Sequence, residues 1–427
     1  MKFDSMLETA KAPEPTDRYL QGPFRVLAMD IDIRGHHPSY VRNFAKTWAE
    51  YNIQGNLDFL VSHRFFELHP DETKYVQSLS SHGIRIISLT QAEDDRMEAI
   101  PYLRYFQAWK LFCKYSKSLE SNHGLLMFSD YLQLPMLIGK QAPCPFSMIY
   151  FRPTFHYQIL GNYHPPWKER FRAWRKKLLM KRVLKIARLA RVYCLDNFAV
   201  EFIKDHFRPK ASIEFLPDSF ATFPMTATEL ESMRLELGID SSRKIFCLVG
   251  ILDRRKGVRE LLEAIQTLSE AASKQVCVLL VGELHVSQEV EIIALLEQTK
   301  NNSQVQVVLR NDFVPEEDVQ KYYELSDVTL TTYQNHMGGS SALIRSALAK
   351  RPVLSSDHGL MGEIVRKRQL GLTVDATKPH EIAKGILAFL DDRPECKLNL
   401  KSAQTFVEEN SSARLAEALK LLTITRR

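Results

Sequence analysis

The feature that most constrains this chain is an alternation that runs through it twice. Short apolar runs are separated by segments whose apolar residues recur every three to four positions. In the first half the runs are FRVLAMDI (24–31), LDFLVS (57–62), IRIISL (84–89), LLMFSD (125–130), FSMIYF (146–151), RVYCLD (191–196) and IEFLPD (213–218). Each predicts a strand. Helical patterns lie between them, as in 39–51, where Tyr40, Phe44 and Trp48 stand four apart, and in 71–81, which Gly83 closes as a C-cap. After Asp218 a stretch rich in Ser, Thr and Pro, with weak periodicity, predicts a connection. The alternation then restarts with KIFCLVG (244–250), QVCVLLVG (275–282), VQVVLR (305–310), DVTLTTY (327–333), PVLSSD (352–357) and LGLTVD (370–375). Helices are expected over 257–272, 290–299, 316–325, 341–349 and 380–390. Strands separated by helices build parallel βαβ units with helices on both faces. The expected architecture is therefore α/β, two Rossmann-like doubly wound domains over 23–218 and 243–395, facing each other across a cleft. A linker at 219–242, a loosely ordered tail at 1–22 and a helical segment at 396–427, packing back towards the first domain, complete it.

Composition narrows the function classes. With 427 residues, 45% hydrophobic and 25% charged, the chain is neither disordered nor fibrous and is too long for one ordinary core. No apolar run approaches the ~18 residues of a membrane-spanning helix. The first residues, MKFDSMLETAKAPEPTDRYLQG, carry acids where a signal peptide would be apolar, so a cytoplasmic location is expected. Six cysteines contain no C-x-x-C, and four of them sit inside apolar runs, as core residues do.

The net charge of +6 conceals an asymmetry. Lys168 to Arg191 holds eleven Lys/Arg and one Glu, a net +10, which leaves the remainder of the chain at −4. Phe171, Trp174, Leu178, Val183, Ile186 and Leu189 follow a helical period, so a helix with one apolar stripe and a cationic remainder is expected. Two readings stand: a peripheral contact with an anionic membrane surface at the inner face of the cell membrane, or a solvated helix packed onto its domain by the stripe. Nucleic acid is not an expected partner, because no such motif occurs elsewhere.

In open α/β sheets ligands bind beyond the carboxyl ends of strands, so the residues just after each strand carry most information. After the first strand stands Asp30-Ile-Asp32-Ile-Arg34-Gly35-His36-His37-Pro38-Ser39. Gly35 permits a tight turn there and Ser39 is placed to cap a helix, so an acceptor or phosphate could approach; an ordinary strand-to-helix turn with solvent-facing histidines is the plainer reading. In the second half, Gly250-Ile-Leu-Asp-Arg254-Arg255-Lys256-Gly257 puts cations beside the free N–H groups of a helix start, a combination that holds a diphosphate. Met337-Gly338-Gly339-Ser340-Ser341 is a second strand-to-helix passage of that kind.

The runs GILDRRKGVRELLEAI, LLVGE, NDFVPEEDVQKYYELSDVTLTTY, GGSSALIRSALAKRPVLSSDHGLMGEIV and LGLTVD resemble, in order and spacing over 244–395, the donor half of the retaining GT-B glycosyltransferases of glycosyltransferase family 4, the group 1 glycosyl transferases. GHHPSYVRNFA and RVYCLDNFAVEFIKDHF resemble the first half more loosely. The resemblance implies a GT-B fold and a hexosyl transfer from a nucleoside diphosphate sugar to a glycan, lipid-linked or small-molecule acceptor, with retention and without a metal or other cofactor. It also implies that Lys256 with Arg255 or Arg254 neutralises the diphosphate, which the Gly338–Ser341 loop holds. Gly250, Glu283, the stretch through Asp312, Phe313 and Val314, and Arg345 fall at nucleotide-side positions; Gly35, His36 and His37 fall on the acceptor side.

The departures are specific. The family's paired glutamates fall at Met337 and Arg345, so both carboxylates are missing. At Arg345 the alternatives are a grip on a phosphate or carboxylate and an outward salt bridge. The histidine often found after the fifth strand is replaced, leaving His156 or Arg152 to substitute, with Asp130 as the other first-half acid in a cleft position and His156 otherwise a surface residue. These losses raise the alternative of a non-catalytic protein of this fold that binds a nucleotide or glycan.

Overall fold

The computed structural model describes residues 24–35, 37–160, 167–218 and 225–424. Among these residues thirteen strands form, each overlapping one of the predicted runs. The first seven are β1 (Arg25–Asp30), β2 (Asn56–Val61), β3 (Ile84–Ser88), β4 (His123–Leu126), β5 (Phe146–Tyr150), β6 (Leu189–Cys194) and β7 (Ser212–Phe215). They make one sheet in the order β3-β2-β1-β4-β5-β6-β7. The other six are β8 (Lys244–Val249), β9 (Val276–Val281), β10 (Gln306–Arg310), β11 (Val328–Thr331), β12 (Val353–Ser356) and β13 (Gly371–Val374), ordered β10-β9-β8-β11-β12-β13. All pairings are parallel, as right-handed crossovers through helices require. The chain is a GT-B fold of two Rossmann-like units.

Both faces of each sheet are covered, which is why the central strands read as continuous apolar runs. On β1, Leu27 and Met29 join one core with Leu60, Phe112 and Leu126, while Val26 and Ala28 join another with Phe44, Trp48 and Phe59. On β8, Phe246 and Leu248 face Leu261 and Ile265, and Ile245, Cys247 and Val249 face Leu279 and Tyr323. The six cysteines are free, five of them buried, and burial pushes the Cys144 and Cys396 thiols up to about 11.

Three local outcomes differ from the sequence reading. The connection after Asp218 contains a helix, Ala227–Glu236, opened by a reciprocal cap: Thr226 Oγ1 accepts from Glu229 N at 3.3 Å and Glu229 Oε2 accepts from Thr226 N at 2.7 Å. Leu230 and Met233 of that helix pack on the second sheet. The helix expected over 257–272 is two, Val258–Ile265 and Glu270–Ser273. The helix after β1 begins at His37, so Ser39 lies inside it and does not cap it.

The chain's end returns to its beginning. Leu415, Ala416 and Leu419 enter the first-domain core, and Tyr193 Oη donates to the Ala418 carbonyl at 2.8 Å. Ala403 and Phe406, just before, pack with Tyr333 and Leu343 of the second domain. A direct contact also joins the halves: Tyr157, Leu160 and Phe198 meet Met337, Leu360 and Ile364. In both sheets the strand order reverses direction at one point, between β1 and β4 and between β8 and β11. Such switch points open a crevice at the carboxyl ends.

Candidate functional site

The second sheet's switch point is occupied by Lys256. A short 3₁₀ turn, Arg254–Lys256, follows β8; Asp253 caps it through Oδ1, which accepts from Lys256 N at 3.2 Å. Gly257 then takes φ +71°, and a β-carbon there would stand 2.4 Å from the Thr332 carbonyl oxygen, so only glycine passes β11 this closely. The Lys256 ammonium is directed back over the end of β8. It donates to the Val249 carbonyl at 2.8 Å and to Tyr333 Oη at 2.5 Å, and lies 4.2 Å from the centroid of the Tyr333 ring. Gly250 makes room for it, since a β-carbon at this φ of +112° would be 2.9 Å from Nζ. An ammonium has three donors, so one N–H remains beyond these two contacts.

Tyr333, two residues past β11, was not singled out in the sequence. Burial raises its phenol's pKa, but the adjacent Lys256 charge and its hydrogen bond more than offset that, and the net shift is downward. Arg254 and Arg255 are exposed; the Arg255 guanidinium lies 5.2 Å from the Tyr333 ring and pairs weakly with Asp253 at 3.7 Å. The structure thus brings Gly250, Arg255, Lys256 and Ser340 around one tyrosine, since Ser340 also bonds Tyr333. Ser340 Oγ caps the Ser341–Leu348 helix, accepting from Ala342 N at 3.3 Å. Gly338 and Gly339 do not take left-handed φ, and a β-carbon on either would meet nothing nearer than 3.6 Å. The protein's own packing therefore does not require glycine there.

Of the residues expected on the nucleotide side, Glu283 and the stretch Asp312 to Val314 lie beyond the ends of β9 and β10, Gly250 follows β8, and Arg345 lies in the helix Ser341–Leu348. Asn311 Oδ1 accepts from Leu284 N at 2.8 Å and so ties the loop carrying Asp312, Phe313 and Val314 to the loop carrying Glu283. Glu283 and Asp312 are exposed, Asp312 beside Arg310 at 3.1 Å; Val314 is half-buried, and Phe313 is 74% exposed. Arg345 is buried, its backbone carbonyl accepting from Gln320 Nε2 at 3.2 Å. Its side chain is thus enclosed by the protein and is not directed into solvent. Met337 is half-buried in the contact between the halves.

Across the cleft, the first sheet's switch point holds a His–Asp pair. His37 Nδ1 lies 2.9 and 2.8 Å from the two Asp30 carboxylate oxygens, and its ring meets Phe128 edge-on at 5.2 Å. Burial disfavours charge on His37, but Asp30 more than compensates and raises its pKa; burial also raises that of Asp30. Asp32 bonds Arg104 at 2.8 Å beside them. Gly35 takes φ +65° in the intervening turn, and His36 lies outside the described residues.

His156 and Arg152, the two expected substitutes for the family histidine, and the acid Asp130 separate. His156 is not at the surface: it is 0% exposed, with Nε2 2.5 Å from Asp196 Oδ2, and Asp196 caps the helix Asn197–Phe207. The ring is enclosed, and its Nδ1 has no hydrogen-bond partner among the described residues. Asp130 is likewise buried, and its two oxygens accept from the Phe151 and Arg152 backbone N–H groups at 2.9 and 2.8 Å, fixing the turn after β5. Arg152 alone is exposed. It faces the second domain: His336, whose pKa falls mainly by burial, is lowered further by Arg255, Lys256 and Arg152 together. Among the described residues no group of three His, Cys, Asp or Glu could hold a metal ion.

The chain is similar to known glycosyltransferases. Residues 231–422 match the family model described as glycosyl transferases group 1. An uncharacterised glycosyltransferase of Methanocaldococcus jannaschii is 22% identical over 213 residues, 47% of this chain and 53% of the relative, so the chain matches about half the length of that protein. A glycosyltransferase of Rickettsia africae superposes with a TM-score of 0.63 at 15% identity, covering 93% of this chain and 97% of that one. Anabaena HepE, solved in complex with UDP-glucose, gives 0.60 at 15%, covering 94% and 100%. Residues 231–422 are accordingly similar to the group 1 glycosyl transferases, in a chain with the GT-B fold.

Proposed function

We propose that this protein is a glycosyltransferase that moves a hexosyl group, with retention, from a nucleoside diphosphate sugar to a glycan, lipid-linked or small-molecule acceptor. The observation that carries the reading is the Lys256 ammonium at the switch point between β8 and β11, with one N–H left for a ligand. A nucleoside diphosphate departs as an anion, so the site's task is to meet developing charge at the leaving oxygen with fixed positive charge and N–H donors. Lys256, Arg254 and Arg255 supply the charge without a metal, and the N-terminus of the Ser341–Leu348 helix supplies the donors. Gly338 and Gly339 leave the approach to that helix open. Phe313 and its neighbours border the base, and Arg152 closes the diphosphate from the opposite domain. His37, held by Asp30, positions the acceptor hydroxyl. UDP-glucose is the first donor to try, because HepE was solved with it. The protein works in the cytoplasm, peripherally at an anionic membrane surface met by the basic segment 168–191.

A second reading, a non-catalytic nucleotide or glycan binder, is favoured by Met337 and Arg345, one held in the interdomain contact and the other buried where the family carries carboxylates. The test is nucleotide release from UDP-, GDP-, ADP- and dTDP-sugars, resolved chromatographically, with Lys256→Ala as control. Release from one donor, lost in the variant, supports transfer. Lys256-dependent nucleotide binding without turnover establishes the second reading, and neither binding nor turnover overturns both.

A further inference from the structure

The basic segment folds differently from the expected single-striped helix. Over Trp167–Val183 the inward face carries Ala173, Met180 and Val183, which are buried. Lys176, half-buried, donates to the Arg152 carbonyl at 3.3 Å, and the Lys177 ammonium lies 5.2 Å from the Phe202 ring. A second apolar stripe points outward. Trp167, Phe171, Trp174 and Leu178 are 73%, 58%, 57% and 39% exposed. Their spacings of four, three and four residues confine them to about 60° of arc at about 100° per residue. Phe171 and Trp174 stack on each other, with centroids 5.7 Å apart. Lys168, Arg170, Arg175, Lys181 and Arg182, all exposed, border this stripe on both sides. Trp167, Lys168, Phe171, Arg172 and Arg175 enclose a shallow open depression.

Four large apolar side chains side by side in water are costly unless something covers them. What covers them has to tolerate a row of cations on each flank. A second copy of this helix would set like charges against each other. A nucleic acid would neutralise them, but Leu178 has no face on which a base can stack, and the cations flank the stripe without alternating with it. An anionic lipid surface satisfies both features: rings and leucine enter the acyl boundary while the ammonium and guanidinium groups meet phosphates.

We infer that the outward face of the Trp167–Val183 helix docks on an anionic bilayer, with Trp167, Phe171, Trp174 and Leu178 inserted and Lys168, Arg170, Arg175, Lys181 and Arg182 paired with lipid phosphates. This deepens the reading above, on which only the consequence for the acceptor rests. The helix's inner face is bonded to Arg152 and lies close enough to Asp130 for that carboxylate to act on Lys176, so docking holds the cleft of the first domain at the membrane. An acceptor carried on a lipid is thereby presented to it.

The test needs no turnover and so stands apart from the activity. Co-sedimentation is measured with vesicles of phosphatidylglycerol and phosphatidylcholine in equal parts, and with phosphatidylcholine alone. Of the four tryptophans, Trp48 and Trp109 are buried, so emission changes and quenching by brominated lipid report Trp167 and Trp174. The expected result is binding to the mixed vesicles only, with quenching. It should weaken at least about tenfold in the triple variant Trp167→Ser, Phe171→Ser, Trp174→Ser, and likewise when the five flanking cations become Gln. Both variants alter only exposed side chains, and unchanged circular dichroism and urea unfolding midpoints confirm that they fold. Absence of vesicle binding, binding without quenching, self-association abolished by the triple variant, or tight oligonucleotide binding in place of vesicle binding would each overturn the inference.

Discussion

Replacing Lys256 with Met separates what this residue does for folding from what it does for a ligand. The substitution keeps most of the chain length and removes the charge. Two hydrogen bonds go with it, at 2.8 Å to Val249 and 2.5 Å to Tyr333. At ~1.5–3 kcal/mol for each bond to a charged group, the gross loss is ~3–6 kcal/mol. Against this stands the cost of taking an ammonium out of water, several kcal/mol for a buried ion, and the residue is only 6% exposed. The two terms are of similar size, so the unfolding free energy should move by less than ~2 kcal/mol in either direction. Nucleotide affinity has no such compensation. Losing the remaining N–H to a phosphate costs ~1.5–3 kcal/mol, which raises the Kd for UDP roughly tenfold to a hundredfold. Urea unfolding and titration calorimetry with UDP measure the two sides. A variant that unfolds like the parent and binds UDP equally well refutes the site assignment; one that loses more than ~4 kcal/mol of stability with unchanged binding makes Lys256 a strut.

Two further predictions concern protons. Because Asp30 raises the pKa of His37, Asp30→Asn should shift the His37 titration, followed by NMR, to lower pH. The folded-state value lies above the unfolded one, so stabilisation of His37 is complete below the unfolded pKa and is lost as pH rises through the folded one. The variant should flatten that alkaline loss, and an unmoved titration would show the pair to be uncharged. Glu93 behaves oppositely: burial raises its pKa, but hydrogen bonds from Lys114, Thr90 and Tyr115 bring it down from 4.5 to about 2. Its contribution is complete above pH 4.5 and fades as pH falls towards 2. In urea unfolding the parent's advantage over Glu93→Gln should therefore shrink across that window, and a constant difference would contradict it.

Much of the fold was legible because one period decides it. A run such as QVCVLLVG can be buried on both faces only as an inner parallel strand, and all thirteen runs became strands. The helix Ala227–Glu236 is not legible from its weak periodicity, although Thr226-x-x-Glu229 carries its capping signature. The close passage at Gly250, Lys256 and Gly257 was readable, since glycines before and after a lysine at a strand end announce a tight turn. Tyr333 was not, because nothing local distinguishes the last aromatic of DVTLTTY from a core residue; its role arises when β11 is laid beside β8.

Sequence alone determined the alternation, the two parallel sheets, the glycine-bearing passages from strand to helix, and the concentration of charge in 168–191. These follow from periodicity, from glycine's conformational range and from counting, all of which act within a few residues. Tertiary structure decided which side chains those places receive. It turned His156 into the wall against Asp196, bound Asp130 to backbone N–H groups, buried Arg345, and joined His37 to Asp30. It also divided one apparent stripe into an inner and an outer face, leaving Trp167, Phe171, Trp174 and Leu178 outside. A helical period says that a face is apolar; which face meets the core depends on what the rest of the chain has already placed there.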